Sequence, residues 1–212
     1  MPTRRRFLDV VGRLAAVGSA VLAGCTGGSG GTTTPTSGSA ADSGAGDDGS
    51  GVGTGSENGP LEFSIPAFAD GGPIPERHTV EGADVSPRLV VESVPEGAET
   101  LALVVDDPDA NGFVHWLLWN VPATVAEITE GIDQSGTVAA LDGARQGTND
   151  FGELGYRGPA PPADDGPHTY RFEMSAVGAR LDLSAGAEAS ALRDALDGRR
   201  LATHRITGEF DR

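Results

Sequence analysis

Six short apolar segments beyond residue 60 constrain the fold of this chain more than any other feature. Each is apolar throughout or alternates apolar and polar residues, and each is bounded by Pro, Gly or Asp. This pattern is typical of strands and predicts a mainly β domain. The predicted strands cover residues 61–68, 88–94, 100–107, 113–121, 170–178 and 200–210.

One helix is predicted near the C-terminus, over Ala187–Asp197. Its spacing places Leu192, Ala195 and Leu196 on a single face, as expected of a helix that packs against a sheet. Gly198 follows as a typical C-terminal stop. The sequence therefore predicts one or two short helices beside the strands.

The chain divides into segments of different composition. Residues 25–60 begin with a cysteine and otherwise consist almost entirely of Gly, Ser, Thr, Ala and Asp. Such a segment cannot bury enough apolar surface to offset its ordering entropy, so we expect a flexible linker that spans about 30 Å. Residues 61–212 have the length of one domain with one core. Within them, the long loop-rich stretch 131–166 is a candidate functional segment.

The N-terminal residues 1–24 have the organisation of an export signal. Arginines at positions 4–6 precede Phe7, and a short apolar run follows from residue 14 to residue 24. A charged region followed by an apolar region is typical of a signal peptide, and this run is too short for a membrane span of about 20 residues. The consecutive arginines predict a twin-arginine signal.

The end of this segment predicts a lipid anchor. The sequence Leu-Ala-Gly-Cys at residues 22–25 resembles a lipobox, in which cleavage before the cysteine frees its thiol for lipid attachment. Cys25 is the only cysteine, so an intramolecular disulfide is impossible. We expect an exported protein that is anchored to the outer face of the cell membrane through Cys25. A stray cysteine after a hydrophobic stretch is the alternative.

The charge of the chain limits its partners. The formal net charge is -16, and all fifteen basic residues are arginines. Removal of residues 1–24 would take away four arginines and one aspartate, which leaves the chain more negative still. This balance argues against a nucleic-acid partner, whose phosphates need a positive surface. A lysine-free acidic surface is typical of a salt-loving archaeon, with lysine loss driven by a GC-rich genome as the alternative.

The stretch "DDPDANGFVHWLLWN" places carboxylates close to a histidine in an apolar run. If the backbone is extended throughout, side chains alternate between faces. Asp107 and Asp109 would then point the same way, and His115 would share a face with Leu117 and Trp119.

A second polar pair, His168 and Tyr170, has the same spacing in a later predicted strand. If the two strands meet, two carboxylates, two imidazoles and a phenol converge. When two carboxylates lie close together, their repulsion raises the pKa of one of them, whereas an adjacent imidazolium lowers the pKa of a carboxylate. Together these groups could therefore form a hydrogen-bonding pocket near neutral pH.

Each of these features also has a structural interpretation. A lone histidine in an apolar strand is more often a core residue, and Asp-Pro-Asp is more often a turn. A metal site of two histidines and one or two carboxylates remains open but lacks tight ligand spacing. The folded part has no Gly-x-Ser-x-Gly, no cysteine nucleophile and no His-Glu-x-x-His, so the sequence predicts no cofactor and disfavours an enzyme. The residual catalytic hypothesis is a metal-assisted hydrolase or an acid-base catalyst that uses Asp109 and His115.

Two stretches resemble a known family, "GADVSPRLVVESVPEGAETLALVVDDPDANGFVHWLLWNVPA" and "GTNDFGELGYRGPAPP" followed by "HTYRFEMSAVGARLDL". They are similar to the phosphatidylethanolamine-binding protein family, in its YbhB/YbcL Raf kinase inhibitor-like branch. The resemblance extends from Phe63 to the C-terminus. It implies a β-sandwich with a large antiparallel sheet, a smaller sheet and a small anion-binding pocket at one end.

The family's pocket motifs map onto this sequence one by one. They are an Asp-Pro-Asp motif, a His-Trp pair, the Gly-Pro of a rim segment at 155–159, and a His-x-Tyr motif. The residues that the resemblance assigns to ligand binding are Asp107, Asp109, His115, Trp116, Gly158, Pro159, His168 and Tyr170. Two departures are notable, because Asn111 stands where a proline usually follows and His78 stands where tyrosine is common.

The resemblance implies a binding protein for a small anionic or phosphorylated ligand, such as a lipid headgroup. A carboxylate pair repels an anion unless a histidine is protonated or a cation intervenes. The alternative is a protein-interaction or inhibitor module that acts on a hydrolase or signalling partner through residues 147–162.

Overall fold

The structure is a computed structural model that describes residues 59–212. The predicted signal peptide, the lipid-attachment cysteine and the linker up to residue 58 lie outside the described residues. Within the described part, none of the helices has both the length and the apolar character to cross a membrane.

Ten strands, one α-helix and two 3-10 turns form residues 59–212. The strands are β1 (Glu62–Ser64), β2 (Gly72–Pro73), β3 (Leu89–Ser93), β4 (Thr100–Asp107), β5 (Phe113–Pro122), β6 (Glu127–Ile128), β7 (Thr137–Val138), β8 (Ala144–Gln146), β9 (His168–Val177) and β10 (Arg200–Phe210). The helix is α1 (Ala189–Leu196), and the turns are Glu76–His78 and Ala139–Leu141.

All six predicted strands are confirmed, as β1, β3, β4, β5, β9 and β10. The sequence prediction missed β2, β6, β7 and β8, each of two or three residues, because such short strands show no alternation. Two of the missed strands, β7 and β8, lie in the predicted loop-rich stretch 131–166.

The strands form two sheets. The smaller has the order β1-β3-β6, and the larger has the order β2-β10-β9-β4-β5-β8-β7. Pairing is antiparallel except between β10 and β2, which makes the larger sheet mixed at that edge. The predicted mainly β fold with a large and a small sheet is confirmed.

The main core lies between the two sheets. Leu101, Leu103 and Val105 alternate along β4 and pack in one cluster with Phe63 of β1 and Leu89 of β3. Each of these side chains is almost completely buried. Burial of one such side chain stabilises the fold by about 1.5–3 kcal/mol relative to exposure.

A second core lies on the opposite face of the larger sheet. Ala102 and Val104 of β4 pack there with Leu192 and Leu196 of α1, and Ala195 lies at the margin. The predicted helix is thus confirmed, with its apolar face against the sheet. Because β4 is buried on both faces, its sequence is a nearly continuous apolar run rather than an alternating one.

A β-bulge interrupts the pairing of β4 with β5. Val105 pairs with Trp116, but the next residue, Asp106, pairs with Val114, so His115 is the extra residue.

The bulge overturns one sequence prediction. Leu117 and Trp119 belong to the second core, whereas the His115 ring lies 5.1 Å from the ring of Tyr170, a residue of the main core. The prediction that these three residues of β5 share a face is therefore wrong, because one extra residue reverses the alternation.

Candidate ligand-binding site

Most of the predicted site residues come from three strands that meet at one end of the larger sheet. β4 ends at Asp107, β5 begins at Phe113 and β9 begins at His168. Because β4 runs antiparallel to both neighbours, these three strand ends lie side by side. Two carboxylates, two imidazoles and a phenol are thus brought to one edge.

Asp107 and His168 form a buried pair. Nδ1 of His168 donates to Oδ2 of Asp107 at 2.7 Å, and both side chains are buried. This hydrogen bond raises the pKa of His168 above its ordinary value, and the charges of Asp107, Asp109 and Asp165 add to the shift against burial. The carboxylate thereby favours an imidazolium at this position.

Asp109 reaches the same edge from a turn. The chain leaves β4 at Asp107, so the prediction of an extended backbone through Asp109 is wrong. Oδ1 of Asp107 accepts the Ala110 N–H at 3.0 Å, which closes the turn, and Oδ2 of Asp109 accepts the Thr169 N–H at 2.8 Å. Asp109 is exposed, so its second oxygen is available to a ligand.

The backbone conformation at residue 111 explains why asparagine replaces the proline that is usual in the family. The φ of Asn111 is 58°, in the left-handed region, which a proline with φ near -65° cannot adopt. This turn is therefore built differently from one with proline at that position.

His115 is held in a fixed tautomer by its own hydrogen bonds. Its Nδ1 lies 2.9 Å from the carbonyl oxygen of Arg157 and 3.1 Å from that of Gly158. Carbonyl oxygens only accept, so Nδ1 carries a proton. Burial lowers the pKa of His115, which makes the neutral ring the favoured form.

Aromatic rings surround His115. Its ring centroid lies 5.5 Å from that of Phe113, 5.4 Å from that of Phe151 and 5.1 Å from that of Tyr170, all edge to face. Such contacts fix the orientation of the imidazole. Phe151 was not predicted as a site residue, since nothing in the sequence distinguishes it from other residues of its loop.

The hydroxyl of Tyr170 is a buried polar group without a well-formed hydrogen bond to any described residue. The backbone of Ala160 and the carboxylate of Asp107 nevertheless lie close enough to affect its pKa. Burial, followed by the charge of Asp107, raises the pKa of Tyr170 well above its usual range, so the hydroxyl stays protonated. Buried hydroxyls normally have a hydrogen-bond partner, which makes this atom a candidate contact for a water or a ligand.

The rim of the site depends on Gly158 and Pro159, both buried. A Cβ at Gly158 would lie 2.3 Å from the carbonyl oxygen of His78 and 2.7 Å from Cα of Thr79, so only glycine fits. The Pro159 carbonyl accepts the Val80 N–H at 3.2 Å. The rim is thus packed directly against the backbone of residues 78–80.

Asp84 fixes the rim from the other side and was missed by the sequence prediction. Its Oδ1 accepts the Gly158 N–H at 2.7 Å, and its Oδ2 lies 3.2 Å from Nε of Arg157. Asp84 has a left-handed φ of 54°. It is distant in sequence from the rim, so no local pattern could have identified it.

Trp116 is a predicted ligand residue that the structure places in the main core. Its side chain has no exposed surface, and its Nε1 donates to Oε1 of Gln146 at 2.7 Å. With its only polar atom occupied, Trp116 can support the neighbouring His115 but offers no hydrogen bond to a ligand.

Within residues 59–212, no group of three or more His, Cys, Asp or Glu side chains has a geometry suited to holding a metal ion. The side chains at this edge are suited to donating and accepting hydrogen bonds and to carrying one positive charge at His168.

Comparison with known sequences identifies the family. The sequence model of the phosphatidylethanolamine-binding protein family matches residues 64–211. The chain belongs to this family. A UPF0098 protein of Methanothermobacter thermautotrophicus is 40% identical over 154 residues, which cover 72% of this chain and 99% of that protein. A Mycobacterium tuberculosis protein that carries the name lipoprotein LppC is 37% identical over 154 residues, 72% of this chain and 73% of that protein.

Solved structures of family members show the same fold. Escherichia coli YbcL matches with a TM-score of 0.67 and 30% identity over 73% of this chain and 99% of YbcL. A phosphatidylethanolamine-binding protein homolog of Chlamydia trachomatis matches with a TM-score of 0.65 and 31% identity, covering 72% and 98% of the two chains. The predicted resemblance to this family is confirmed.

Proposed function

We propose that this member of the phosphatidylethanolamine-binding protein family binds a small anionic or phosphorylated group at the shared end of β4, β5 and β9, and that it does so without catalysis. The observation that carries the proposal is the buried Tyr170 hydroxyl, which lacks a well-formed hydrogen bond to any described residue and belongs to a ring 5.1 Å from that of His115. His168 supplies the positive charge, because Asp107 favours its protonated form.

The proposal is tested by isothermal titration of the purified protein with phosphate, phosphoethanolamine and phosphotyrosine. We expect saturable binding in the wild type and its loss in His115→Ala. The matched control is His204→Ala, since His204 lies on β10 and contacts Phe63 rather than the site. Absence of binding to all three ligands, in a protein shown to be folded, would refute the proposal.

A second candidate function is a protein-interaction or inhibitor module. The exposed large hydrophobic residues of the described part are Phe151 and Leu154, both in the loop between Gly147 and Pro162. Asn149 holds this loop rigidly, because its Oδ1 accepts the N–H groups of Phe151 at 3.0 Å and Glu153 at 3.1 Å. A rigid loop with exposed apolar side chains favours a protein partner.

The two candidates differ in the variant that abolishes function. Leu154→Ser should weaken association with a protein partner and leave phosphate binding intact, because Leu154 is exposed and is not among the rings around His115. His115→Ala should abolish phosphate binding and leave association with a protein partner intact.

We also propose that the protein is exported and held at the outer face of the cell membrane through Cys25. The lipobox-like sequence supports this, as does the name of the mycobacterial relative. Cys25→Ser is expected to release the protein into the medium, as measured by immunoblot of medium and membrane fractions. Retention of the variant in the membrane fraction would contradict lipid anchoring.

A further inference from the structure

The proposed anion site contains more carboxylates than cations. Asp107 and Asp109 lie in it, and Asp165 lies 4.0 Å from Nε2 of His168. A fully ionised phosphate would be repelled by these groups. The donor and acceptor roles of the two histidines indicate which protonation state of a ligand the site can bind, provided that the proposed function holds.

His115 can only accept a hydrogen bond from a ligand. Its Nδ1 proton is donated to the carbonyl oxygens of Arg157 and Gly158, so in the neutral ring Nε2 carries a lone pair. Nε2 has no hydrogen-bond partner among the described residues. If an unprotonated ligand oxygen lay against this atom, its lone pair would face the lone pair of Nε2 and no hydrogen bond would form. A ligand hydroxyl would instead donate a hydrogen bond to Nε2.

The charged groups that face His115 do not reverse this preference. Asp107 approaches from β4 and Asp150 from the loop after β8, and both charges favour an imidazolium, but burial outweighs them. Tyr170 approaches from β9 with a neutral hydroxyl. The guanidinium of Arg157 is already engaged by carboxylates, with Nε 3.2 Å from Asp84 and Nη1 3.2 Å from Glu153.

His168 has the complementary role. Its Nδ1 donates to Asp107, so its protonated ring has one further donor, Nε2–H. Asp107 from β4, Asp109 from the following turn and Asp165 from the preceding loop all favour that protonated ring. The exposed carboxylate of Asp109 adds an acceptor, since only one of its oxygens is bonded to Thr169.

We propose that the site selects a phosphate group in its singly protonated form, a monoanion that accepts a hydrogen bond from His168 and donates one to His115 or Asp109. This assignment gives the carboxylates a function, because Asp109 can accept a hydrogen bond from the ligand's hydroxyl and the carboxylates together repel the dianion. It also predicts discrimination against sulfate esters, which carry the same charge and shape but no proton to donate.

The test compares methyl phosphate with methyl sulfate by isothermal titration against the purified protein. Methyl phosphate changes from monoanion to dianion near about pH 6, whereas methyl sulfate stays a monoanion. At about pH 5 we expect methyl phosphate to bind at least about tenfold more tightly than methyl sulfate, and the difference to shrink by about pH 8. Titration of His168 affects both ligands, so the ratio of the two affinities isolates the ligand's proton.

A variant provides a second measurement. In His115→Gln the side-chain amide can donate as well as accept, so the preference for methyl phosphate should decrease. Its fold is checked by near-UV circular dichroism. Equal affinities of the wild type for the two ligands at about pH 5 would overturn this inference and leave the anion site standing. Failure of both ligands to bind the folded wild type would overturn the proposed function itself.

Discussion

Asp107 combines a structural and an electrostatic role in one side chain. One carboxylate oxygen caps the turn at Ala110, and the other pairs with His168. An asparagine could keep the cap through its amide oxygen but would remove the charge. The two roles can therefore be separated by a single substitution.

We predict that Asp107→Asn lowers the pKa of His168 from its raised value. A raised folded-state pKa stabilises the protein below the unfolded value of about 6.5, and this stabilisation is lost as the pH rises through the folded value. The variant should therefore lose more stability at pH 6 than at pH 9. NMR titration and urea unfolding at both pH values measure this, with Asp142→Asn as the control, since Asp142 is exposed and is not among the groups that shift the pKa of His168. An unchanged pKa of His168 would refute the assigned pairing.

Asp84 is predicted to position His115 through the rim. Asp84→Ala leaves the buried Gly158 N–H without its acceptor, at a cost of about 1–3 kcal/mol, and loosens the carbonyl groups that hold Nδ1 of His115. We expect both lower stability and a mixture of His115 tautomers in nitrogen NMR spectra. Asp142→Ala is a matched control, since Asp142 also has a left-handed φ, of 52°, but is exposed. A single unchanged tautomer would restrict Asp84 to a purely structural role.

At the level of elements, the site is a junction of three strand ends and one rim segment. The strand ends are fixed by ladders across β4, β5 and β9, whereas the rim is fixed by packing against residues 78–80. The rim is thus the part of the site with the smallest tolerance for added volume.

Gly158→Ala is predicted to displace the rim. The new Cβ would approach two backbone atoms, the closer at 2.3 Å, so the rim must shift rather than a flexible side chain. Overpacking of this kind typically costs about 1–3 kcal/mol. We expect lower stability and weaker anion binding, measured by urea unfolding and titration calorimetry. Gly178→Ala is the control, because its Cβ would be in ordinary contact, with the nearest Leu201 side-chain atom at 3.6 Å and the Gly97 carbonyl oxygen at 3.8 Å. Unaltered binding in Gly158→Ala would contradict the assigned rim.

On the scale of the whole molecule, the dominant property is the net charge of -16. Like charges oppose compaction, and salt screens them with a Debye length near 10 Å at 0.1 M and near 3 Å at 1 M. Ion pairs such as Arg88 with Glu127 lie on the surface and offset little of this repulsion.

We predict that the folded state gains stability as sodium chloride is raised from about 0.1 M to about 2 M. The measurement is the urea midpoint at each salt concentration. A variant that neutralises three exposed acids, Glu92→Gln, Glu96→Gln and Asp197→Asn, should show a smaller salt effect. A midpoint that stays constant or falls with salt would contradict the salt-adapted surface predicted from composition.

The strands, the helix and the family could be predicted because their signals are local. Alternation along β9, the apolar run of β4 and the spacing of Leu192 and Leu196 in α1 each lie within one element. The motifs around Asp107 and His168 indicated most of the candidate site in the same way, and its role in ligand binding stays a prediction. Four very short strands were missed because pairing partners, not local sequence, define them.

The sequence by itself determined which residue types carry charge and hydrogen bonds at the site. Only the tertiary structure decided that His115 occupies a bulge, that Trp116 is enclosed in the core and that Asp84 holds the rim. These features depend on contacts between residues far apart in the chain, such as Asp84 with Gly158. Such contacts decide which group donates and which accepts in each hydrogen bond. A pattern of residues along one segment cannot show this, because the partner lies elsewhere in the chain.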